Sequence, residues 1–361
     1  MFDYASRVAR LQVLMSERGI DAVLLTAGSD LPYFSGYTAM PLERITALVV
    51  PSEGDPTLFV PALEAPRVET GQFEMMPWGE TDDVLGSIAS RLSGSDAIAV
   101  GETMWSSFLL AFQERLADVE WSVATDLTKE LRMRKEPDEI DRLRRAAQAT
   151  DRVLARIPSE VGFVGRTESE IAAEIARMVV EEGHDRSWFT IVASGPDSAS
   201  PHHETGQRVV QSGDMVVCDF GGTIDGYHSD VTRTFVAGES TDRQREVHSV
   251  VDEANRAGRA AIAPGVPCQE VDRAARQVIE EAGYGEYFIH RTGHGIGLEG
   301  HEHPYIVEGN DLMLEAGMTF SVEPGIYVPG EFGVRIEDIV ACGLDSVDNL
   351  NKADRHLIEV G

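Results

Sequence analysis

Four acidic residues in the C-terminal half of the chain lie in two β-hairpin patterns, and their type and spacing suit the binding of divalent cations. In the segment "CDFGGTIDGYHSDV", Asp219 and Asp230 flank the hairpin turn signal Asp225-Gly226. A hairpin about this turn brings the two carboxylates opposite each other or one diagonal apart, with their β-carbons about 5 to 8 Å apart. Because the neighbouring residues are mostly apolar, two facing carboxylates cost free energy unless something positive lies between them.

A second hairpin pattern repeats this arrangement with glutamates. Glu323 and Glu337 are 14 residues apart, and their midpoint is Gly330 in "VPGEFG". A strand pair that is symmetric about this turn places the two side chains across from each other. A single acid of this kind is more often a solvent-facing residue or the partner of an arginine such as Arg233 or Arg335. Two hairpins that each present a facing acid pair favour a site for positive charge.

A histidine-rich segment completes the candidate site. The stretch "HRTGHGIGLEGHEHPYI" (290–306) contains four of the ten histidines, and its glycines suit a backbone that approaches another group closely. Four carboxylates with one imidazole are a ligand set for two divalent cations, and oxygen-rich ligation suits Mn²⁺ or Co²⁺ better than a structural Zn²⁺. His294, which lies between two glycines, is the best ligand candidate, and His301 is the candidate catalytic donor. His202 in "SPHHE" fits either a substrate contact or a surface loop.

Two other functional motifs, the zinc-peptidase helix motif and the phosphate loop, are absent from the sequence. His301-Glu302-His303 lacks the H-E-x-x-H spacing of zinc peptidases, and no G-x-x-x-x-G-K-[ST] phosphate loop occurs. His290 and His303 fit a functional or a structural role equally well. The three cysteines are far apart and form no C-x-x-C pair, so neither a disulfide framework nor a thiolate zinc site is expected.

The composition limits the classes of partner. Asp and Glu number 61 against 31 Lys and Arg, which gives a formal net charge of −30. Such a surface repels nucleic-acid phosphates and anionic membranes. No apolar run reaches the roughly 18 residues of a transmembrane helix, and the first 20 residues have the spacing of an amphipathic helix rather than a signal peptide. We therefore expect a reduced, cytoplasmic protein with no nucleic-acid or membrane partner.

The elements that must position these residues fall into two parts. Short apolar runs such as "DAVLLT" (21–26) and "DAIAVG" (96–101) alternate with helical patterns and predict a smaller α/β domain over 1–127. Four cations then precede a helix start at Pro137. The second domain, predicted over 135–361, follows the plan helix, helix, sheet twice, which indicates an α+β fold with a pseudo-twofold repeat around one cleft. Its predicted helices cover 137–157, 167–183, 241–263 and 267–282.

Four segments of the second domain resemble one family of enzymes. They are "CDFGGTIDGYHSDVTRTF", "GHGIGLEGHEHP", "FSVEPGIY" and "GVRIEDIV", in this order and spacing. Together they resemble the pita-bread metallopeptidases, which include prolidase, aminopeptidase P and the methionine aminopeptidases, over residues 135 to 355. The first domain is similar to the smaller, creatinase-like domain of prolidase and aminopeptidase P. The resemblance implies a pita-bread catalytic domain that hydrolyses the Xaa-Pro bond of dipeptides or short peptides.

The resemblance also implies a ligand for each position of a two-metal centre. By similarity, Asp219 would bind one cation, and Asp230 would bridge both. His294 and Glu323 would hold the second cation, and Glu337 would bridge. All five residues are of the required type, unlike those of creatinase, which has the fold without the metals. Mn²⁺ or Co²⁺ is expected, and Zn²⁺ is an alternative.

Further roles follow from the same resemblance. His301 matches a histidine that contacts the substrate and polarises its carbonyl, and His202 matches a second substrate-binding histidine. Arg335 matches an arginine that orders the site. In the implied reaction the cations would activate a water, Glu323 would take its proton and pass it to the leaving nitrogen, and His301 would stabilise the oxyanion.

One position departs from the family pattern. Some dipeptidases have an arginine after "HE-x-P" that binds the terminal carboxylate of the substrate, and this chain has Tyr305 there. A phenol replaces a bidentate cation poorly, so an aminopeptidase P activity on longer peptides is the main alternative. A hydrolase or lyase for small molecules and a metal-free peptide-binding module are further alternatives. Relatives in this branch are commonly dimers, which implies a homodimer.

Overall fold

The computed structural model describes residues 2–69 and 73–361. The chain divides into two units, Met1–Arg132 and Met133–Gly361. Each unit has its own buried apolar core. The domain limits expected from the sequence, 1–127 and 135–361, remain a prediction.

The first unit is built on a mixed six-stranded sheet. Its helices are α1 (Tyr4–Arg18), α2 (Asp30–Ser35), α3 (Val84–Arg91), α4 (Ser106–Arg115) and α5 (Thr125–Arg132). Its strands are β1 (Ala22–Thr26), β2 (Ala47–Pro51), β3 (Thr57–Pro61), β4 (Glu74–Trp78), β5 (Ala97–Val100) and β6 (Glu120–Val123). The strand order is β4-β3-β2-β1-β5-β6. Leu24, Phe59 and Ile98 from three strands pack in one core with Ile88 and Phe112 from two helices. The apolar runs thus form strands as predicted.

The second unit contains the predicted order of two helices and a sheet, twice. Its helices are α6 (Pro137–Glu160), α7 (Glu168–Glu181), α8 (Asp242–Ala260) and α9 (Cys268–Glu281). Its strands are β7 (Arg186–Ser194), β8 (Met215–Ile224), β9 (Tyr227–His228), β10 (Val231–Ala237), β11 (Gly293–Gly295), β12 (Glu302–Ile306), β13 (Thr319–Val322), β14 (Gly325–Val328), β15 (Phe332–Arg335), β16 (Asp338–Cys342), β17 (Val347–Asn349) and β18 (Ile358–Val360). One sheet has the order β18-β10-β8-β7, and the other has the order β12-β11-β13-β16-β17. The α+β class and the internal repeat are confirmed.

The first predicted hairpin is formed by β8 and β10. Asp225 and Gly226 both have positive φ angles, 51° and 81°, as a tight hairpin turn requires. Asp219 lies opposite Thr232, so it is one diagonal away from Asp230, which precedes β10. The turn chemistry therefore brings the two aspartates to the same end of the strand pair.

The second predicted hairpin is opened in its middle. On either side of the opening, Val322 pairs with Asp338 and Gly325 pairs with Arg335, in one register that is symmetric about Gly330. The glutamates at 323 and 337 occupy the gap between these two strand pairs. Their backbone N–H groups donate instead to the carbonyl oxygens of residues 292 and 232, at 2.8 and 3.1 Å. This exchange of partners attaches the hairpin to both sheets at the two glutamates.

Within the two described stretches of the chain, no helix is both long and apolar enough to cross a bilayer.

Candidate metal centre

All eight residues that the sequence analysis assigned to the site line one cavity of the second unit. The cavity has a volume of about 490 Å³. The eight residues are Asp219, Asp230, His294, Glu323, Glu337, His301, His202 and Arg335. They come from both helix–helix–sheet repeats, so the cavity lies where the two halves of the unit meet.

The ligand-type atoms of the cavity form three overlapping groups: one consists of Asp230, His294 and His301, and the other two share Glu337. One atom each from Asp219, Asp230 and Glu337 lie within 4.8 Å of one another. One atom each from His294, Glu323 and Glu337 also lie within 4.8 Å of one another. Two neighbouring positions with a common carboxylate are the arrangement that a pair of divalent cations requires.

Unpaired oxygen atoms mark the group of Asp219, Asp230 and Glu337. Within residues 2–69 and 73–361, four buried side-chain oxygens have no hydrogen-bond partner. Three of them are Asp219 Oδ1, Asp230 Oδ1 and Glu337 Oε1. Buried carboxylate oxygens are normally hydrogen-bonded or bound to a metal. The residues present therefore fit a divalent cation at this position.

Burial makes the carboxylates costly to ionise without a positive partner. Desolvation raises the pKa of Asp230 and of Glu337 well above their usual ranges, and neighbouring carboxylates add to both shifts. Desolvation also raises the pKa of Glu323 to about 7, and the charge of Asp219 adds to this shift. A bound cation would offset this penalty because it favours the charged form of each ligand.

His294 is held as a neutral imidazole with one nitrogen free for a ligand role. Burial, with a contribution from His301, lowers the pKa of His294 to about 3. Its Nδ1 lies 3.1 Å from the carbonyl oxygen of Gly295, to which it donates in the neutral form. Its Nε2 then carries the lone pair and lies 3.4 Å from Glu323 Oε1 and 3.8 Å from Asp230 Oδ2. This tautomer is the one that a metal ligand needs.

Arg335 orients the other oxygen of Asp219. The guanidinium Nη2 donates to Asp219 Oδ2 at 2.6 Å, and Nη1 donates to the Tyr327 hydroxyl at 2.9 Å. The same hydroxyl lies 2.9 Å from His290 Nε2. Thr232 Oγ1, from β10 of the first hairpin, donates to one oxygen of Glu337 on the second hairpin at 2.7 Å. Each of these two carboxylates thus keeps one oxygen directed by protein and one oxygen unpaired.

His301 packs against His294 and faces an arginine. Its ring centroid lies 3.7 Å from that of His294. Burial, followed by the charge of Arg291, lowers the pKa of His301. Arg291 Nη2 lies 3.3 Å from His301 Nδ1, and the guanidinium carbon lies 4.4 Å from the ring centroid of Tyr305. Arg291 therefore stands beside the position at which this chain departs from the family pattern.

Arg291 and Trp188 are among the lining residues that were not identified from the sequence. The sequence around Arg291 contains one usable signal. No acidic residue lies within four positions of this arginine, although the chain is strongly acidic, so no neighbour in sequence neutralises its charge. The sequence around Trp188 contains no such signal. In the structure the indole ring packs on Gly300, where a β-carbon would lie 2.4 Å from the ring. Its Nε1 donates to the Ser229 carbonyl oxygen at 3.1 Å. The ring thus forms an aromatic wall beside His301.

Comparison with known proteins identifies the family. Residues 141–343 match the metallopeptidase family M24, and residues 7–134 match the creatinase/prolidase N-terminal domain. The chain belongs to metallopeptidase family M24. It is therefore a hydrolase of a family that uses divalent metal ions, and the resemblance drawn from its motifs is confirmed.

Members of family M24 match the chain over nearly its whole length. A probable dipeptidase PepE of Mycobacterium tuberculosis is 45% identical over 99% of this chain and 96% of its own. A Xaa-Pro dipeptidase of Pyrococcus furiosus is 34% identical, over 98% and 99% of the two chains. The crystal structure of a prolidase from Thermococcus sibiricus superposes with a TM-score of 0.95 at 37% identity, covering 100% of both chains. The crystal structure of dipeptidase PepE from Mycobacterium ulcerans superposes with a TM-score of 0.93 at 44% sequence identity, covering 99% of both chains.

Proposed function

We propose that the protein is a Xaa-Pro dipeptidase that uses two divalent cations. The observation that carries this proposal is the convergence of four carboxylates and one neutral imidazole on one cavity, with three buried carboxylate oxygens left unpaired. Asp219, Asp230 and Glu337 would hold one cation. His294 and Glu323 would hold the other, together with the two bridging residues, Asp230 and Glu337. The names of the relatives, prolidase and dipeptidase, support the peptide substrate.

The two cations would supply Lewis-acid polarisation of the scissile carbonyl and a water of lowered pKa. Glu323 would take a proton from that water, and the resulting carboxylic acid would return it to the leaving nitrogen. His301, which lines the same cavity as the proposed ligands, would donate a hydrogen bond to the developing oxyanion. In a Xaa-Pro peptide bond the proline nitrogen carries no hydrogen and cannot donate a hydrogen bond to the protein. Recognition of the proline would therefore rely on the shape of the cavity wall.

Arg291 would bind the terminal carboxylate of a dipeptide. The guanidinium lies over Tyr305 and next to His301, so it stands on the side of the cavity where the family pattern places an arginine after "HE-x-P". A guanidinium pairs with a carboxylate through two parallel hydrogen bonds. This placement favours dipeptides over longer peptides, in spite of the neutral side chain at 305.

The metals, the assembly and the compartment complete the proposal. The oxygen-rich ligand set suits Mn²⁺ or Co²⁺, and Zn²⁺ is the alternative. The resemblance to prolidases supports a homodimer. The buried free thiols of Cys218, Cys268 and Cys342 suit a reducing cytoplasm. We place the creatinase-like domain at 1–127 and the catalytic domain at 135–361, as the sequence predicts.

The test compares substrates before and after metal removal. Chelated protein should lose hydrolysis of Xaa-Pro dipeptides, and Mn²⁺ or Co²⁺ should restore it. Faster turnover of Xaa-Pro-Yaa peptides would identify an aminopeptidase P instead. Inertness toward every proline peptide in the metal-loaded protein would favour a small-molecule substrate.

A further inference from the structure

A buried asparagine lies behind the opening in the second hairpin. Asn255 is in the interior of α8, is fully buried, and is one turn from Gly258. Asparagine and glycine are both poor residues for a helix interior, and together they cost about 1 to 2 kcal/mol relative to alanine. Their presence within the last two turns of a 19-residue helix therefore calls for a tertiary reason.

The Asn255 amide donates two hydrogen bonds to the backbone at the edge of the opening. Its Nδ2 donates to the carbonyl oxygen of Val322 at 2.8 Å and to that of Ile336 at 3.3 Å. These two carbonyls belong to the residues that immediately precede Glu323 and Glu337. One side chain thus fixes the backbone on the N-terminal side of both glutamates.

The orientation of this amide is determined by its neighbour. Arg259, one turn along the same helix, donates through Nε to Asn255 Oδ1 at 2.7 Å. A guanidinium has no acceptor, so the atom that faces it must be the amide oxygen, and the amide nitrogen must face the hairpin. Arg259 is itself held through Nη1, which donates to Asn349 Oδ1 at 3.0 Å.

The helix lies close enough for so short a side chain to reach both strands. A β-carbon at Gly258 would lie 3.1 Å from Val322 Cγ1 and 3.4 Å from the β-carbon of Ala275. The absence of a side chain at Gly258 therefore permits the close approach of α8 to β13, and this approach brings the Asn255 amide within hydrogen-bonding distance of the hairpin.

We infer that Asn255 is a positioning residue for the metal centre: it sets the separation of Glu323 and Glu337 through the carbonyls that precede them. This inference rests on the proposed function, in which both glutamates bind cations. Loss of the amide would remove both of these hydrogen bonds and free the two glutamates to move apart. Outer partners of metal ligands typically contribute about 10- to 100-fold to metal affinity.

The test compares Asn255→Ala with a matched control, Asn351→Ala. Asn351 is also a fully buried asparagine of the second unit, and its Nδ2 donates to Ala147 O at 3.2 Å and Asp151 Oδ1 at 2.9 Å. Its Oδ1 accepts from the Ile339 N–H at 2.9 Å, so it contacts one strand of the hairpin two residues after Glu337 and does not join the two strands at the glutamates. Both variants remove a buried amide, so both should lower Tm. Only Asn255→Ala should weaken Mn²⁺ binding, measured by isothermal titration calorimetry, by about 10- to 100-fold. Its Co²⁺-loaded form should also show an altered visible absorption spectrum.

A second variant keeps the inference testable where the first does not fold. Asn255→Asp has the same size and still accepts from Arg259, but it has no N–H to donate, so it should weaken Mn²⁺ binding to a similar extent. Wild-type affinity and an unchanged Co²⁺ spectrum in either folded Asn255 variant would overturn the inference, as would an equal loss of affinity in Asn351→Ala. If wild-type protein bound no cation, the proposed function itself would fail, and the two failures are thereby distinguished.

Discussion

Replacement of Arg291 by alanine should raise the KM for Xaa-Pro dipeptides. The guanidinium is half-buried at the cavity wall, 3.3 Å from His301 and over the ring of Tyr305. Hydrogen bonds to a charged group contribute about 1.5 to 3 kcal/mol, which corresponds to roughly 10- to 150-fold in binding. Because the terminal carboxylate is bound equally in the ground and transition states, the loss should appear mainly in KM.

The assay compares each Xaa-Pro dipeptide with its Xaa-Pro amide, which lacks the negative charge. Wild-type protein should discriminate between them by about this factor, and Arg291→Ala should not. Any disturbance of His301 would affect both substrates alike and cancels in the ratio. Arg291→Lys retains the charge but loses the two parallel hydrogen bonds, so it should give an intermediate ratio. A wild-type ratio in Arg291→Ala would refute the assignment of the carboxylate to this arginine.

Three further predictions address the catalytic donor, acid stability and the aromatic wall. His301→Ala should lower kcat by about 10²- to 10³-fold with unchanged metal content by elemental analysis, whereas loss of metal would make His301 a ligand. Burial lowers the pKa of His248 from 6.5 to about 4, so below pH 6.5 only the unfolded chain gains the proton and stability falls as the pH drops toward 4. His248→Gln should therefore retain about 2 kcal/mol more of its pH 7 stability at pH 5 in urea unfolding, and an equal decline in both proteins would contradict this. Gly300→Ala should cost about 1 to 3 kcal/mol by clash with the Trp188 ring, and Trp188→Ala should relieve most of that cost; additive effects would exclude the contact.

The hairpins could be predicted because the information lies within each segment. Asp225-Gly226 specifies a turn, and the distance of each aspartate from that turn fixes its place on the strand pair. The same reasoning, applied about Gly330, gives the register of the second hairpin. The alternation of apolar runs with turn signals likewise predicted the strands of the first unit.

Residues that act across elements could not be predicted in this way. The opening of the second hairpin depends on Thr232, which is about a hundred residues away in sequence and pairs with Glu337. Asn255 looks like an unfavourable helix residue until its contacts with the hairpin are known. Trp188 likewise acquires its place from Gly300, more than a hundred positions later. Such contacts depend on how whole helices and strands pack together, so they cannot be predicted from hydrophobic periodicity or from turn residues.

The number of cations bound per chain tests the central claim most directly. Protein that has been chelated, then dialysed against Mn²⁺ or Co²⁺ and analysed for metal, should contain two cations per chain. Glu337→Gln should contain fewer than two, because this carboxylate belongs to both groups that are proposed to hold the cations. A metal-free wild-type protein under these conditions, or one that hydrolyses Xaa-Pro dipeptides at full rate after chelation, would contradict the account.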